Sequence, residues 1–203
     1  MSMPDMSRRV DALAGLLQTK GLIDERTVSD YAHKATVEWS PAIGAGLCAR
    51  AWLDPEFKQA LLADGKAVAA ELGYAMPEHH GSLVVKENTA DLHNVICCSL
   101  CSCTAYTIIG MAPGWYKDVN YRARIVREGR NVLAEMGLQL PPAMKLRIWD
   151  TTTDTRYMVL PMRPPGTEGW SEAQLAGLIA QDHLIGVARL EPPFAAPAAA
   201  PAN

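Results

Sequence analysis

The sequence predicts an α+β fold, a helical N-terminal arm followed by a mixed α/β core. Two observations carry this: apolar residues three and four apart dominate the first seventy positions, and short β-favouring runs begin near residue 82. With 203 residues, 49% of them hydrophobic and 20% charged, the chain has enough apolar side chain for one real core. Its expected organisation is an arm over 1–40, a core domain over 41–190 and a mobile Ala/Pro-rich tail over 191–203. There is no internal repeat.

Val10, Leu13, Leu16 and Leu17 precede Gly21, and Val28, Tyr31 and Ala35 follow Asp24, so each set marks one face of a helix. Ser40-Pro41 and Asp54-Pro55 each set a capping side chain before a proline at the first helical position, where the missing N–H costs nothing. Phe57, Leu61, Val68 and Leu72 then predict a single apolar face closed by Gly73. Leu83-Val84-Val85 and Val95-Ile96 read as strands. Pro113 to Glu135 is helix-prone, with Tyr121, Ile125, Val132 and Leu133 inward. Leu146 and Ile148 alternate with Lys145 and Arg147, and with Tyr157 to Leu160 they predict a hairpin turning at Asp150-Thr151-Thr152-Thr153-Asp154. Ser171-Glu172-Ala173-Gln174 is a capping box for a helix bearing Leu175, Leu178 and Ile179, and Leu184 to Ala188 reads as a last strand.

A formal charge of -3 offers no basic surplus for a nucleic-acid backbone or an anionic bilayer. No apolar run nears the roughly 20 residues that span a membrane, and Met1 to Asp11 is charged where a secretory segment is apolar. The expected location is the cytoplasm, with neither a nucleic-acid nor a membrane partner.

Four of five cysteines fall within seven residues, as Cys97, Cys98, Cys101 and Cys103, with Cys48 apart. A disulfide framework spreads its cysteines, so this cluster points to a metal. One solution is structural zinc, with Cys98, Cys101 and Cys103 joined by a histidine such as His93. The Cys101-Ser102-Cys103 tripeptide permits another. Deprotonated amides of Ser102 and Cys103, with sulfur at each end, make fused six-, five- and five-membered chelate rings in one plane. Cys98 then takes an axial position and leaves the opposite one open. Such strong donors favour a trivalent low-spin ion rather than zinc, and thiolates beside an open position are candidates for oxidation.

The run Cys98-Ser99-Leu100-Cys101-Ser102-Cys103-Thr104 resembles the metal motif of the nitrile hydratase alpha subunit. The resemblance continues through Trp115-Tyr116-Lys117, Tyr121-Arg122-Ala123-Arg124, Asp150-Thr151-Thr152, Arg156 to Pro161 and Gly166 to Trp170, over about residues 40–188. It implies a layered α/β/β/α core and a non-haem Fe(III), or alternatively a Co(III), held by Cys98, Cys101, Cys103 and the backbone nitrogens of Ser102 and Cys103. The same resemblance makes Cys101 sulfinic and Cys103 sulfenic, and the serine at 99 points to iron where cobalt members carry threonine. The implied reaction is hydration of a small nitrile to its amide. Water attack, metal-bound hydroxide and the Cys103 sulfenate are its possible nucleophiles, with the sulfenate preferred. The implied partners are an obligate beta subunit, which brings two arginines to the oxidised sulfurs, and a metal-loading activator.

Further residues carry two readings each. Trp115 is a pocket wall or a packed tryptophan, and the His79-His80 pair is a pocket edge that modulates proton transfer or an exposed turn. Arg122, Arg124, Arg127 and Arg130 scatter over several sides of their helix and read as a structural face. His33, His93 and His183 read as packed or surface histidines. Cys48 reads as a small buried side chain and Cys97 as one turned away from the metal. Where relatives have Trp-Pro, this chain has Tyr106-Thr107, a change that reshapes the pocket wall. A thiocyanate hydrolase metal subunit and a non-enzymatic zinc module are the competing functions.

Overall fold

A computed structural model describes residues 3–191, so the expected tail lies outside the described residues from 192 onward. The chain divides into two compact units, Met1–Glu38 and Trp39–Asn203. The first holds α1 (Met3–Thr19), α2 (Glu25–His33) and a π-helical turn over Lys34–Glu38. Asp24 caps α2 by accepting from the Arg26 and Thr27 amides. The apolar residues Val10, Leu13, Leu16 and Tyr31 are exposed.

The second unit begins with α3 (Pro41–Leu53), α4 (Pro55–Ala63) and α5 (Gly65–Glu71). Ser40 and Asp54 cap α3 and α4 with proline at the first position, as the sequence predicts. The single face from Phe57 to Leu72 is instead two helices. Asp64 interrupts it, ending α4 and accepting from the Ala67 amide to start α5. Leu47, Cys48 and Ala49 of α3 are buried in the core, where the Cys48 Sγ faces the Val159 carbonyl.

Among the described residues four strands follow, in two parallel pairs. β1 (Ser82–Glu87) pairs with β4 (Thr155–Leu160), and β2 (Leu92–Cys97) pairs with β3 (Lys145–Asp150). Between β2 and β3 run α6 (Tyr106–Ile109), α7 (Gly114–Lys117) and α8 (Val119–Glu135), and after β4 come α9 (Glu172–Ala176) and α10 (Gln181–Ile185). Tyr121, Ile125, Val132 and Leu133 of α8 are buried, as predicted. Helical dihedrals fail at Glu128 within α8, where its carboxylate takes the Arg124 Nε–H at 2.6 Å.

Two expectations fail for physical reasons. β3 and β4 form no hairpin, because the Asp150–Asp154 segment carries the chain from one sheet to the other. The buried Arg156 gathers that segment, donating from Nη1 to the carbonyls of Thr152 (2.6 Å), Thr153 and Thr155 (both 3.3 Å). The expected last strand over Leu184 to Ala188 is instead the end of α10 and the turn after it; at the start of that helix the His183 ring accepts the Ala180 amide at 2.8 Å. Gly186 closes that helix at φ +91°, where a Cβ would lie 2.1 Å from the Asn94 carbonyl oxygen. The Ser171–Gln174 capping box opens α9 as predicted, but that helix stops at Ala176, before Leu178 and Ile179.

Candidate metal centre

The cysteine cluster leaves the carboxyl end of β2, where Cys97 sits in register with Asp150 of β3. The ladder runs one step further, since the Thr151 amide donates to the Cys97 carbonyl at 2.8 Å. Loops meeting at the carboxyl ends of parallel strands are the usual place for a site in such sheets. Here they bring Cys98 to Cys103 against Thr151 to Thr153.

Within the turn, the Cys98 and Cys101 sulfurs are 3.1 Å apart and those of Cys101 and Cys103 are 2.7 Å apart. All five cysteines are free thiols. Cys98, Cys101 and Cys103 form the one His/Cys/Asp/Glu group of metal-binding geometry among the described residues, with sulfurs within 4.8 Å of one another. The Cys101 amide donates back to the Cys98 Sγ at 3.3 Å, which closes the turn. By contrast the Ser102 and Cys103 amides meet no acceptor among the described residues, so both nitrogens stay available to an ion between the sulfurs. The donor set therefore fits a metal bound by sulfur and main-chain nitrogen.

Two carboxylate contacts fix the turn from outside. The Ser99 amide donates to Asp150 Oδ1 at 2.8 Å and the Ser99 hydroxyl to Oδ2 at 2.5 Å. On the other flank Arg122 reaches the Ser99 carbonyl at 3.5 Å, and the Tyr116 hydroxyl donates to the Cys103 carbonyl at 3.2 Å. Cys98 is buried, Cys103 is half-buried, and Cys101 and Leu100 are exposed. Cys97 points into the core. Burial first, then Asp150 and Cys98, push its thiol up to about 12, so it remains protonated and outside the sulfur triad.

The triad opens into a cavity of about 590 Å³, walled also by His79, Thr151 and Arg156. A second cavity, about 560 Å³ beside Trp52 and Met162, has no cysteine in its wall, and its Lys58 and Glu87 pair with each other. His79 is exposed, but His80 is buried rather than in an exposed turn. Burial and then the charge of Arg156 hold the His80 imidazole down to about 4, so it is neutral. The Lys66 ammonium donates to its carbonyl at 2.5 Å.

Other residues lie elsewhere. Trp115 does not line the cavity; it packs edge-on to Tyr116 and Tyr121, with centroids 5.8 and 5.0 Å away. His93, the candidate fourth zinc ligand, is spent on the Gly186 carbonyl at 2.7 Å and on Asn88 at 3.3 Å. Arg124 pairs with Glu128 and Glu135, Arg127 bonds the Ala123 carbonyl and Arg130 those of Pro141 and Met144, which makes them a structural face. Sequence reasoning missed the parts of Asp150 and Arg156. Both stand in motifs that carry the family resemblance, amid a dense run of hydroxyl and charged residues over 150–156, but neither signal named a contact.

Residues 4–188 match the family model described as nitrile hydratase, alpha chain. Over the whole of both chains the structure is similar to a double mutant of the Fe-type nitrile hydratase from Comamonas testosteroni Ni1, at 57% identity and a TM-score of 0.94. The low-molecular weight cobalt-containing nitrile hydratase subunit alpha of Rhodococcus rhodochrous is 44% identical over 183 residues, 90% of this chain and 88% of that one. Thiocyanate hydrolase subunit gamma of Thiobacillus thioparus is 41% identical over 194 residues, 89% of this chain and 78% of that one. With nearly its full length covered and its sulfur triad formed, the chain belongs to the nitrile hydratase alpha-chain family.

Proposed function

We propose that this chain is the metal-bearing subunit of an iron-type nitrile hydratase and converts a small nitrile to its amide. The observation that carries the reading is the convergence of three sulfurs beside two main-chain amides that meet no acceptor among the described residues, at the wall of a cavity. Cys98, Cys101 and Cys103, with the nitrogens of Ser102 and Cys103, would hold the ion. A trivalent ion there supplies Lewis acidity toward the nitrile. Low-spin Fe(III) is favoured by Ser99 and by the likeness to an Fe-type enzyme.

The chain's own residues account for the surroundings. Buried Cys98 would stay unoxidised, while the more accessible Cys101 and Cys103 are the ones for dioxygen to oxidise, to sulfinate and sulfenate. These sulfurs and the amidates concentrate negative charge, which the guanidinium of Arg156 faces from the same cavity. His79 stands at the wall, where it can pass a proton or hold a substrate edge. The complementary wall belongs to a beta subunit that contributes arginines, and an activator protein loads the metal. The complex works in the cytoplasm as at least an alpha-beta heterodimer.

The test is the co-expressed complex. Stoichiometric iron, a low-spin ferric electron spin resonance signal, peptide masses raised by two oxygens at Cys101 and one at Cys103, and conversion of a nitrile to its amide are expected. Similarity to a cobalt-containing relative supports a second reading with Co(III) in the same donors. Stoichiometric cobalt decides for it. Colourless zinc with unmodified cysteines defeats both.

A further inference from the structure

The cysteine turn leads directly into α6, whose first residue, Tyr106, stands three positions after Cys103. Its base is rigid. The flanking Ala105 and Thr107 are buried, and Gln181 holds the end of the helix by donating to the Ile109 and Met111 carbonyls at 2.7 and 2.9 Å. From this base the Tyr106 ring enters a row of four. Trp39 lies 4.6 Å away between centroids, and His80 meets the Tyr106 ring edge-on at 5.2 Å. His80 in turn meets His79 at 4.5 Å, and His79 lines the sulfur cavity.

His80 is the weak member of the row. It is 1% exposed, and its Nδ1 has no hydrogen-bond partner among the described residues. Ring contacts therefore carry much of the work of orienting its imidazole, and edge-to-face aromatic pairs have the geometric preference for that task. Whatever turns His80 moves the backing of His79.

We propose that Tyr106 is a positioning residue: braced by Trp39, its ring sets His80 and through it His79, and so fixes the width of the cavity that the nitrile enters. This rests on the nitrile hydratase reading and adds to it the element that determines substrate size. The effect is assigned to the aromatic ring, which Tyr106→Phe retains.

The experiment uses the assembled, metal-loaded enzyme carrying Tyr106→Phe or Tyr106→Leu. One readout needs no activity: the rate at which diethyl pyrocarbonate modifies His80, followed by peptide mass spectrometry. The other is the ratio of kcat/KM for an aromatic nitrile to that for a three-carbon aliphatic one. Tyr106→Phe keeps both within a factor of two. Tyr106→Leu raises both roughly two- to tenfold, the factor that follows from losing one aromatic contact, with metal content and visible absorption unchanged. Equal effects of Phe and Leu, or no effect of Leu, overturn the proposal. If Tyr106→Leu does not assemble, Trp39→Leu removes the brace and has to shift both readouts in the same direction, and no shift there overturns it too. If the wild-type complex hydrates no nitrile, the functional reading fails, while the His80 rates still decide whether Tyr106 holds that ring.

Discussion

Ser99 and Asp150 lie 51 positions apart, yet the carboxylate of one takes both the amide and the hydroxyl of the other, at 2.8 and 2.5 Å. That bidentate clamp sets where the cysteine turn leaves β2, and partners one shell beyond a metal commonly govern its retention. Asp150→Ala is expected to speed loss of metal to a chelator ten- to a hundredfold, with Asp150→Asn intermediate because one acceptor survives. The measurement is the metal-to-chain ratio against time. An Ala variant that holds metal as long as wild type would refute the clamp.

Arg156 is buried, and its guanidinium organises three carbonyls of the loop facing the sulfurs. Arg156→Ala strands those carbonyls and removes the positive charge. A loss of about 2–4 kcal/mol in stability and a ten- to hundredfold fall in turnover are expected. Arg156→Lys restores the charge without the planar fork, so it recovers only part of each. Denaturant midpoints and kcat, measured on the same preparations, separate the two effects.

His80 gives folding a pH dependence. The folded state keeps it neutral down to about 4, whereas an unfolded histidine protonates near 6.5. Between these values the unfolded chain binds more protons, so stability falls as pH falls through that window. The drop from pH 7 to 4 is about 3 kcal/mol at most from this group. His80→Gln is expected to flatten the curve of unfolding free energy against pH, and an unchanged slope counts against the assignment.

Gly186 permits the close passage of α10 over β2. A methyl group there would collide with the Asn94 carbonyl and sit on a backbone at φ +91°. Asn94 itself binds the Glu87 carbonyl, Asn88 and the Trp149 indole, so displacement spreads to both sheets. Gly186→Ala should cost about 3 kcal/mol or more, read as a thermal midpoint lowered by several degrees. An unshifted midpoint would mean that the approach relaxes freely.

What the sequence made legible was local. Caps at Ser40, Asp54 and Ser171, the strands around Val84 and Ile96 and the inward face of α8 follow from spacing and side-chain chemistry within a few residues. The cysteine triad was legible for the same reason, since its donors share one turn. Pairing was not. A loop rich in Asp and Thr reads as a hairpin turn until one sees that Arg156 binds its carbonyls and sends β4 to a different partner. Nor could spacing reveal that Asp150 meets Ser99, or that His80 is buried while His79 is not, because both depend on contacts closed through distant parts of the chain.

The same separation in the chain has a consequence for biosynthesis. When Cys103 has left the ribosome, the residue that anchors its turn is still tens of codons away. At about 5–20 residues per second, the anchor to Ser99, 51 positions on, arrives some 3–10 seconds later. For that interval the thiols are tethered only by a nascent strand with no neighbour, open to any oxidant or competing ion in the cell. Faithful loading of the centre is then a matter of timing during translation as much as of affinity in the finished fold.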